Sequence, residues 1–289
     1  MGGLPTPAIR ESIRQLRALT DRPFGVNLIM PLMDEEAVAC CLDEGVPVLV
    51  LFWGDPGPYV ADAHRVGTKV VVQCGSVEEA WQTAAAGTDA VMIQGVEAGG
   101  HVRGTTALSV LLPATVEAVA PLPVIAAGGI ATGRGVAAAL QLGAQSVSLG
   151  TRFLCSEESR AAREYKQRIV AATAEDTVHT KMFDVGWPDA AHRVLRNAAV
   201  REWEAAGSPP VGERAGEGEI IGKMPVAGET VDLPRYGVFM PLDGFEGDLE
   251  HAVLYSGQSC ALVDDVLPAA RIVHDLVRTA DALLAAPAV

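Results

Sequence analysis

The chain is poor in basic residues. Its 289 residues include 22 lysines and arginines against 36 aspartates and glutamates, a formal net charge of −14. A surface that binds nucleic acid or an anionic membrane needs concentrated positive charge. The composition therefore argues against both partners, and a bound anion has to be held by backbone N–H groups or by a few local cations.

Cysteines, long apolar runs and leader features are also scarce. The five cysteines are an odd number without metal-site spacing, which indicates free thiols in a reducing cytoplasm. They are Cys40, Cys41, Cys74, Cys155 and Cys260. No apolar run approaches the roughly 20 residues of a membrane span. The start, Met1-Gly2-Gly3-Leu4-Pro5, has no basic region followed by an apolar stretch, so we expect no signal peptide and a cytoplasmic protein.

Several catalytic motifs are missing as well. The chain has no His-Glu-x-x-His motif, no paired cysteine motif and no Ser-His-Asp order. The glycine turns at Gly128-Gly129 and at Gly150 match neither a GxGxxG fingerprint nor a Walker loop. Zinc and hydrolase chemistry therefore lack support, and we expect no metal cofactor.

What the chain does have is an α/β rhythm from Pro23 to about Leu149. The predicted strands are 24–30, 47–52, 69–74, 89–94, 123–127 and 146–149, and the predicted helices are 34–44, 57–66, 76–86, 107–119 and 132–142. Apolar strands without alternation favour a parallel sheet covered on both faces. With a seventh strand at 177–183, after a helix near 157–172, the pattern fits either an open sheet or a (β/α)8 barrel without its first strand and helix.

The segments before and after this region do not continue the alternation of strands and helices. A helix at about 7–19 opens the chain, and residues 206–218 are typical of a loop or lid. The stretch 219–248 looks irregular, and two helices, near 249–256 and 264–286, are expected to end the chain. We therefore divide it into a βα domain (1–200), a lid or substrate segment (201–248) and C-terminal helices packing on the barrel (249–289).

The most informative loop runs from Gln94 to Arg103 and follows a predicted buried strand. Its glycines permit close approach of the backbone to a ligand. His101 titrates near neutral pH and can act as a general base or, when protonated, as an anchor for an anion. Glu97, in the same loop, is either a supporting carboxylate or a helix-capping group. The five other histidines (64, 179, 192, 251 and 274) lack partners at ligand spacing, and we expect no functional role for them.

Two further glycine turns end consecutive strands, at Gly128-Gly129 and at Gly150. Neighbouring turns that lead into helices can form a phosphate site from backbone N–H groups. Tight βα turns without a ligand are the alternative. Arg152 could neutralise such a phosphate or pair with nearby Glu157 or Glu158. Asn27 and Gln94 are amides in apolar strands that either satisfy backbone groups or read the edge of a bound ring.

The chain resembles the nitronate monooxygenase family in several ordered segments that cover most of its length. They are Gln94–His101, Pro123–Ile130, Leu149–Phe153, Gly25–Leu28 and Tyr255–Ser259. The resemblance implies a TIM-type (β/α)8 barrel with a small appended C-terminal segment. Relatives carry a Pro-Met pair in a first strand that has no counterpart upstream of Pro23, so we expect this chain to lack that strand and its helix.

The resemblance also implies an activity, which is FMN-dependent oxidation of alkyl nitronates or nitroalkanes by O2 to carbonyl compounds and nitrite. His101 would be the catalytic residue. The implied FMN-binding residues are Asn27, Gln94, Gly99, Gly128, Gly129, Ser148, Leu149, Gly150 and Thr151. An NAD(P)H-dependent enoyl-ACP or quinone reductase and a catalytically silent flavin-binding protein are the alternatives. The oligomeric state is left open, with a homodimer as one alternative.

Overall fold

The computed structural model describes residues 4–226 and 228–286, so the residues Met1, Gly2 and Gly3 considered above lie outside it. The helices are α1 (Thr6–Leu19), α2 (Ala37–Asp43), α3 (Gly57–Arg65), α4 (Val77–Ala85), α5 (Leu108–Val119), α6 (Gly133–Gln141), α7 (Thr151–Leu154), α8 (Arg163–Val170), α9 (Ala198–Ala205) and α10 (Ala269–Leu284). The strands are β1 (Gly25–Ile29), β2 (Val48–Phe52), β3 (Lys69–Cys74), β4 (Ala90–Gln94), β5 (Gly100–His101), β6 (Val124–Ala127), β7 (Ser146–Ser148), β8 (Thr177–Thr180), β9 (His192–Leu195), β10 (Ile220–Val226), β11 (Glu229–Pro234) and β12 (Glu246–Gly247).

The residues divide into two compact units by their contacts. Among the described residues, the first contains 4–95, 104–126 and 142–146, and the second contains 96–103, 127–141, 147–226 and 228–286. In the part of the chain that the structure describes, no helix is long and apolar enough to cross a membrane. The five cysteines are all buried, and none forms a disulfide.

The main sheet has six strands in the order β1-β2-β3-β4-β6-β7. The first four pair in parallel, with Val26 opposite Leu49, Leu49 opposite Val70 and Val72 opposite Val91. These side chains are buried because helices separate successive strands and cover the sheet. The α/β architecture predicted from the apolar runs is confirmed.

The ends of α3 and α4 lie within one residue of the predicted bounds, 57–66 and 76–86. The Ser76 hydroxyl accepts the Glu79 N–H at 3.1 Å and begins α4, while the Glu79 carboxylate accepts the Gly75 N–H at 2.7 Å. After α3 and α4 the chain turns through Gly67 and Gly87 with φ of +82° and +86°, a conformation that costs glycine little.

The second unit differs from the prediction in its strands. The predicted seventh strand exists as β8, but it pairs antiparallel with β9, and β9 pairs antiparallel with β5. It therefore belongs to a separate three-stranded sheet rather than to the parallel one. The stretch expected to be irregular contains an antiparallel hairpin of β10 and β11, with β12 on the other side of β10.

The predicted helix near 249–256 is wrong. The end of this stretch is extended and pairs with β9, since the Leu195 N–H donates to the Leu254 carbonyl at 2.8 Å and Val194 bridges to Tyr255. The final predicted helix is confirmed as α10. Tertiary pairing therefore outweighs local helix propensity at Leu254 and Tyr255.

Candidate active site

The three-stranded sheet of the second unit fixes the backbone around His101. His101 lies directly opposite His192 in the antiparallel pairing of β5 with β9, and Gly100 lies opposite Arg193. The Arg193 Nε donates to the Val96 carbonyl at 3.0 Å, which holds the start of the same loop. The glycine-rich loop is thus attached to a regular sheet at its histidine end.

Aromatic rings surround the His101 imidazole. The Trp187 indole stacks on it, with a centroid separation of 4.1 Å and an interplanar angle of 28°. The rings of His192 and Tyr255 each lie 5.4 Å away, measured between centroids. Trp187 is only 5% exposed and His192 is fully buried, so these rings exclude water from the sides of the His101 imidazole that they cover.

This environment determines the protonation state of both histidines. Burial, with a further contribution from His192, lowers the pKa of His101 to about 3, and burial lowers the pKa of His192 to about 4. The His192 Nδ1 donates to the Ala190 carbonyl at 2.8 Å, while its Nε2 accepts the Phe183 N–H at 3.3 Å. Both imidazoles are therefore neutral near pH 7, and a protonated anchor at His101 is disfavoured.

The loop before His101 is clamped by the segment at Gly257. The Gln258 N–H donates to the Glu97 carbonyl at 2.9 Å. A Cβ added at Gly99 would lie 2.3 Å from the Gly257 nitrogen, so the two backbones approach too closely for any side chain at this position. Gly99, expected to contact a cofactor, therefore has a packing reason of its own to be glycine.

Thr151 extends this clamp. Its hydroxyl oxygen accepts the buried Gly257 N–H at 3.0 Å. The threonine that begins α7 is thereby connected through Gly257 to Gly99 and to the His101 loop. One hydroxyl links two of the segments that the sequence marked as functional.

The glycine turn at Gly128-Gly129 also adjoins the His101 loop. Both residues have positive φ, +94° and +70°, and a Cβ at Gly129 would lie 3.5 Å from the Cβ of Glu97. A Cβ at Gly150 would meet no atom within 4 Å, and Gly150 is exposed. Ser148 and Leu149, just before it, are half-buried. The second unit thus offers backbone amides with room for a bound group at Gly150.

Arg152 has a structural partner that the sequence did not indicate. Its Nη1 contacts the Asp265 carboxylate at 2.8 Å, and its Nη2 donates to the carbonyls of Cys155 and Asp265. The side chain is 7% exposed. The glutamates expected as partners, Glu157 and Glu158, take no part in these contacts. Because Arg152 binds Asp265 instead, it connects α7 to the segment before α10.

The two predicted amides lie in the first unit. Asn27 is in the middle of β1 and is half-buried, and Gln94 ends β4 and is 6% exposed. Their predicted roles in holding a cofactor stay predictions. Within residues 4–226 and 228–286, no group of three or more His, Cys, Asp or Glu side chains is placed to hold a metal ion.

A profile of the nitronate monooxygenase family matches residues 33–279, most of the chain. The chain belongs to the nitronate monooxygenase family. Membership makes it an oxidoreductase and confirms the resemblance drawn from the glycine-rich segments.

The family relatives differ in what their names describe. One relative, from Mycobacterium tuberculosis, is "(3aS,4S,5R,7aS)-5-hydroxy-7a-methyl-1-oxo-octahydro-1H-indene-4-carboxyl-CoA dehydrogenase"; it is 33% identical, over 92% of this chain and 80% of its own. The structure of FabK from Thermotoga maritima matches with a TM-score of 0.79 and 33% identity, over 97% of this chain and 83% of its own. A nitroalkane oxidase from Streptomyces ansochromogenes matches with a TM-score of 0.78 and 29% identity, over 98% and 88%.

The aromatic residues around His101 were not predicted from the sequence. Trp187 carried no local signal, and His192 was expected to be without function because its neighbours in sequence suggest no site. Tyr255 belonged to a family segment but had no assigned role. No predicted strand covers β9, so the antiparallel pairing that brings His192 opposite His101 is seen only in the structure.

Proposed function

We propose that the chain is an FMN-dependent nitronate monooxygenase that oxidises alkyl nitronates with O2 to carbonyl compounds and nitrite. The observation that carries the proposal is the neutral His101, surrounded by aromatic rings, in a loop that is held by backbone contacts and adjoins the Gly128-Gly129 turn. Membership of the nitronate monooxygenase family supports it. The family resemblance also favours a TIM-type barrel as the finer description of the fold.

The residues of the second unit fit a flavin phosphate. The open backbone at Gly150, the left-handed turn at Gly128-Gly129 and the half-buried Ser148 and Leu149 can supply N–H donors to an anion in a chain with more acidic than basic residues. We propose that these residues and Thr151 hold FMN, and that Gly99, Asn27 and Gln94 contribute as the resemblance implies. A bound flavin supplies the electron-transfer chemistry with nitronate and O2.

The protein's own contribution centres on the imidazole. A nitronate is already an anion, so its oxidation needs no strong base. An imidazole whose pKa is about 3 is a weak base, but in its neutral form it can donate an N–H hydrogen bond to a nitronate oxygen. We therefore assign His101 the role of hydrogen-bond donor, and we expect nitronates to be better substrates than the neutral nitroalkanes.

The test combines spectra with steady-state rates. Purified protein is expected to show a flavin absorption spectrum or to quench the fluorescence of added FMN. It is expected to release nitrite from an alkyl nitronate under air without NAD(P)H. Faster turnover of a neutral nitroalkane than of its nitronate, measured before the two forms interconvert, would contradict the donor role of His101.

A second function is a flavin reductase that uses NAD(P)H with an enoyl thioester or a quinone. The specific support is the 33% identity, over nearly the whole chain, to FabK and to a CoA-thioester dehydrogenase. NAD(P)H consumption with these acceptors, and no nitrite from nitronates, would favour it. A colourless protein that does not bind FMN would instead favour a catalytically silent scaffold.

A further inference from the structure

Arg214 is a buried arginine in the segment expected to be a lid. Its side chain is 2% exposed. Nη1 contacts the Asp184 carboxylate at 2.8 Å and donates to the Met182 carbonyl at 2.7 Å, while Nη2 and Nε bind the Glu217 carboxylate at 2.8 and 2.9 Å. A planar guanidinium can serve these separate acceptors at once. Arg214 thus joins residues 212–217 to the turn that begins at Met182.

Tyr236 packs against the Arg214 guanidinium. The Arg214 guanidinium lies 4.5 Å above the centroid of the Tyr236 ring. The Tyr236 hydroxyl donates to the Ala215 carbonyl at 3.2 Å, so the ring is attached to the same segment. Tyr236 is 2% exposed, and the arginine is therefore held between a carboxylate pair and an aromatic face away from solvent.

The turn held by Arg214 carries Trp187. The Trp187 N–H donates to the Asp184 carbonyl at 3.0 Å, and Val185 exchanges backbone hydrogen bonds with Tyr236 and Val238. Gly186 and Asp189 have φ of +106° and +59°, a region that non-glycine residues such as aspartate adopt at a cost.

Such a turn needs ties from outside to keep a single conformation. The Asp184 carboxylate, 9% exposed, and the Arg214 guanidinium form one of these ties. The contacts therefore run without a break from Arg214 through Asp184 to Trp187, and the Trp187 indole stacks on His101.

We propose that Arg214 is a positioning residue for His101, acting through the turn Asp184–Trp187, in a proposal that rests on the function assigned to His101 above. Arg214 touches neither the imidazole nor the reacting atoms in this arrangement. It fixes the indole that fixes the imidazole. A displacement of about 1 Å in a reacting group can cost about 100-fold in rate, which sets the size of the expected effect.

The experiment compares two Arg214 variants with one control. Arg214→Met removes the junction. Arg214→Lys is made in parallel because it keeps a positive charge beside the buried Asp184, yet an ammonium cannot reach all the acceptors together. Arg235→Met is the matched control, since Arg235 also lies over the Tyr236 ring, at 5.3 Å, but pairs with Glu202.

Two readouts are taken on the purified proteins. Histidine-selective NMR follows the Hε1 resonance of His101, assigned by its loss in His101→Gln. The stacked indole shields this proton, so Trp187→Leu marks the resonance position of an unstacked imidazole. The second readout is kcat and KM for an alkyl nitronate.

In both Arg214 variants we expect the resonance to move downfield toward its position in Trp187→Leu, with kcat lower by about 10-fold to 100-fold and KM little changed. Arg235→Met is expected to change neither. An unmoved His101 resonance in Arg214→Lys overturns the inference, even if activity falls. A resonance that moves while kcat is unchanged supports positioning by Arg214 and instead contradicts the function proposed for His101.

Discussion

Replacing Gly99 with alanine tests the clamp on the His101 loop most directly. The new Cβ would lie 2.3 Å from the Gly257 nitrogen and 2.5 Å from the Ser256 carbonyl carbon. Both are backbone atoms, so no side chain can rotate away. Reaching an ordinary contact of 3.4 Å requires the two segments to separate by about 1 Å. That separation also breaks the 2.9 Å hydrogen bond from the Gln258 N–H to Glu97.

The cost follows from these two losses. Overpacking costs about 1–3 kcal/mol, and the lost hydrogen bond costs about 1 kcal/mol more. Because His101 is displaced with the loop, we expect kcat/KM for a nitronate to fall by about 100-fold. The free energy of unfolding is measured by urea denaturation, and the rate by nitrite release.

Gly100→Ala is the control for Gly99→Ala. Gly100 has φ of +76° but its Cβ would meet nothing within 4 Å, so alanine there costs about 1–2 kcal/mol in backbone strain without pushing the loop away. We expect it to retain most of the activity. A Gly99→Ala protein with wild-type stability and rate would show that the loop does not depend on its contact with Gly257, and the clamp would have to be abandoned.

Three further predictions concern the same unit. His101→Ala is expected to keep the flavin spectrum but to lower kcat for a nitronate by about 10²–10³-fold, and an unchanged rate would remove His101 from the mechanism. The folded pKa values of His101 and His192, about 3 and about 4, lie below the ordinary value of 6.5, so the unfolded chain binds more protons below pH 6.5. The contribution of these two histidines to stability is therefore fully present above pH 6.5 and is lost toward pH 4, by up to about 1.4 kcal/mol per pH unit for each histidine. Urea unfolding at several pH values should show a smaller slope in His192→Gln. Thr151→Val leaves the buried Gly257 N–H without its acceptor and should cost about 1–3 kcal/mol of unfolding free energy, whereas Thr151→Ser keeps the acceptor; equal stabilities in thermal or urea unfolding would refute the link.

The parallel sheet was predictable because its signals are local. Each strand is a short apolar run, and glycines such as Gly67 and Gly87 follow the helices directly in sequence. The hairpin of β10 and β11 lies in the stretch 219–248, which was expected to be irregular and contains Pro225 within β10. A proline lacks the N–H that a neighbouring strand would accept. Pro225 is tolerated in β10 because β12 pairs with β10 only at Gly222 and Lys223, so no strand lies beside Pro225 on that side.

The candidate site was predictable only in part, for a related reason. The His101 loop and the glycine turns have compositions that indicate ligand binding by themselves. Trp187 and Tyr255 reach His101 through tertiary pairing of segments far apart in the chain, and no periodicity reports such pairing. The helix wrongly predicted near Tyr255 has the same cause.

The opposition of His101 and His192 across two antiparallel strands also bears on how this protein can be altered. Side chains alternate along a strand, so deletion of one residue within β9 would bring Ala191 or Arg193 to the place of His192. An insertion between Lys181 and Ala191 does not change which face of β9 carries His192, but it lengthens the loop that contains Trp187. Exchange of the loop between β8 and β9 is therefore expected to preserve the site only when it keeps His192 opposite His101 and also keeps the turn Asp184–Trp187 that places the indole on the imidazole.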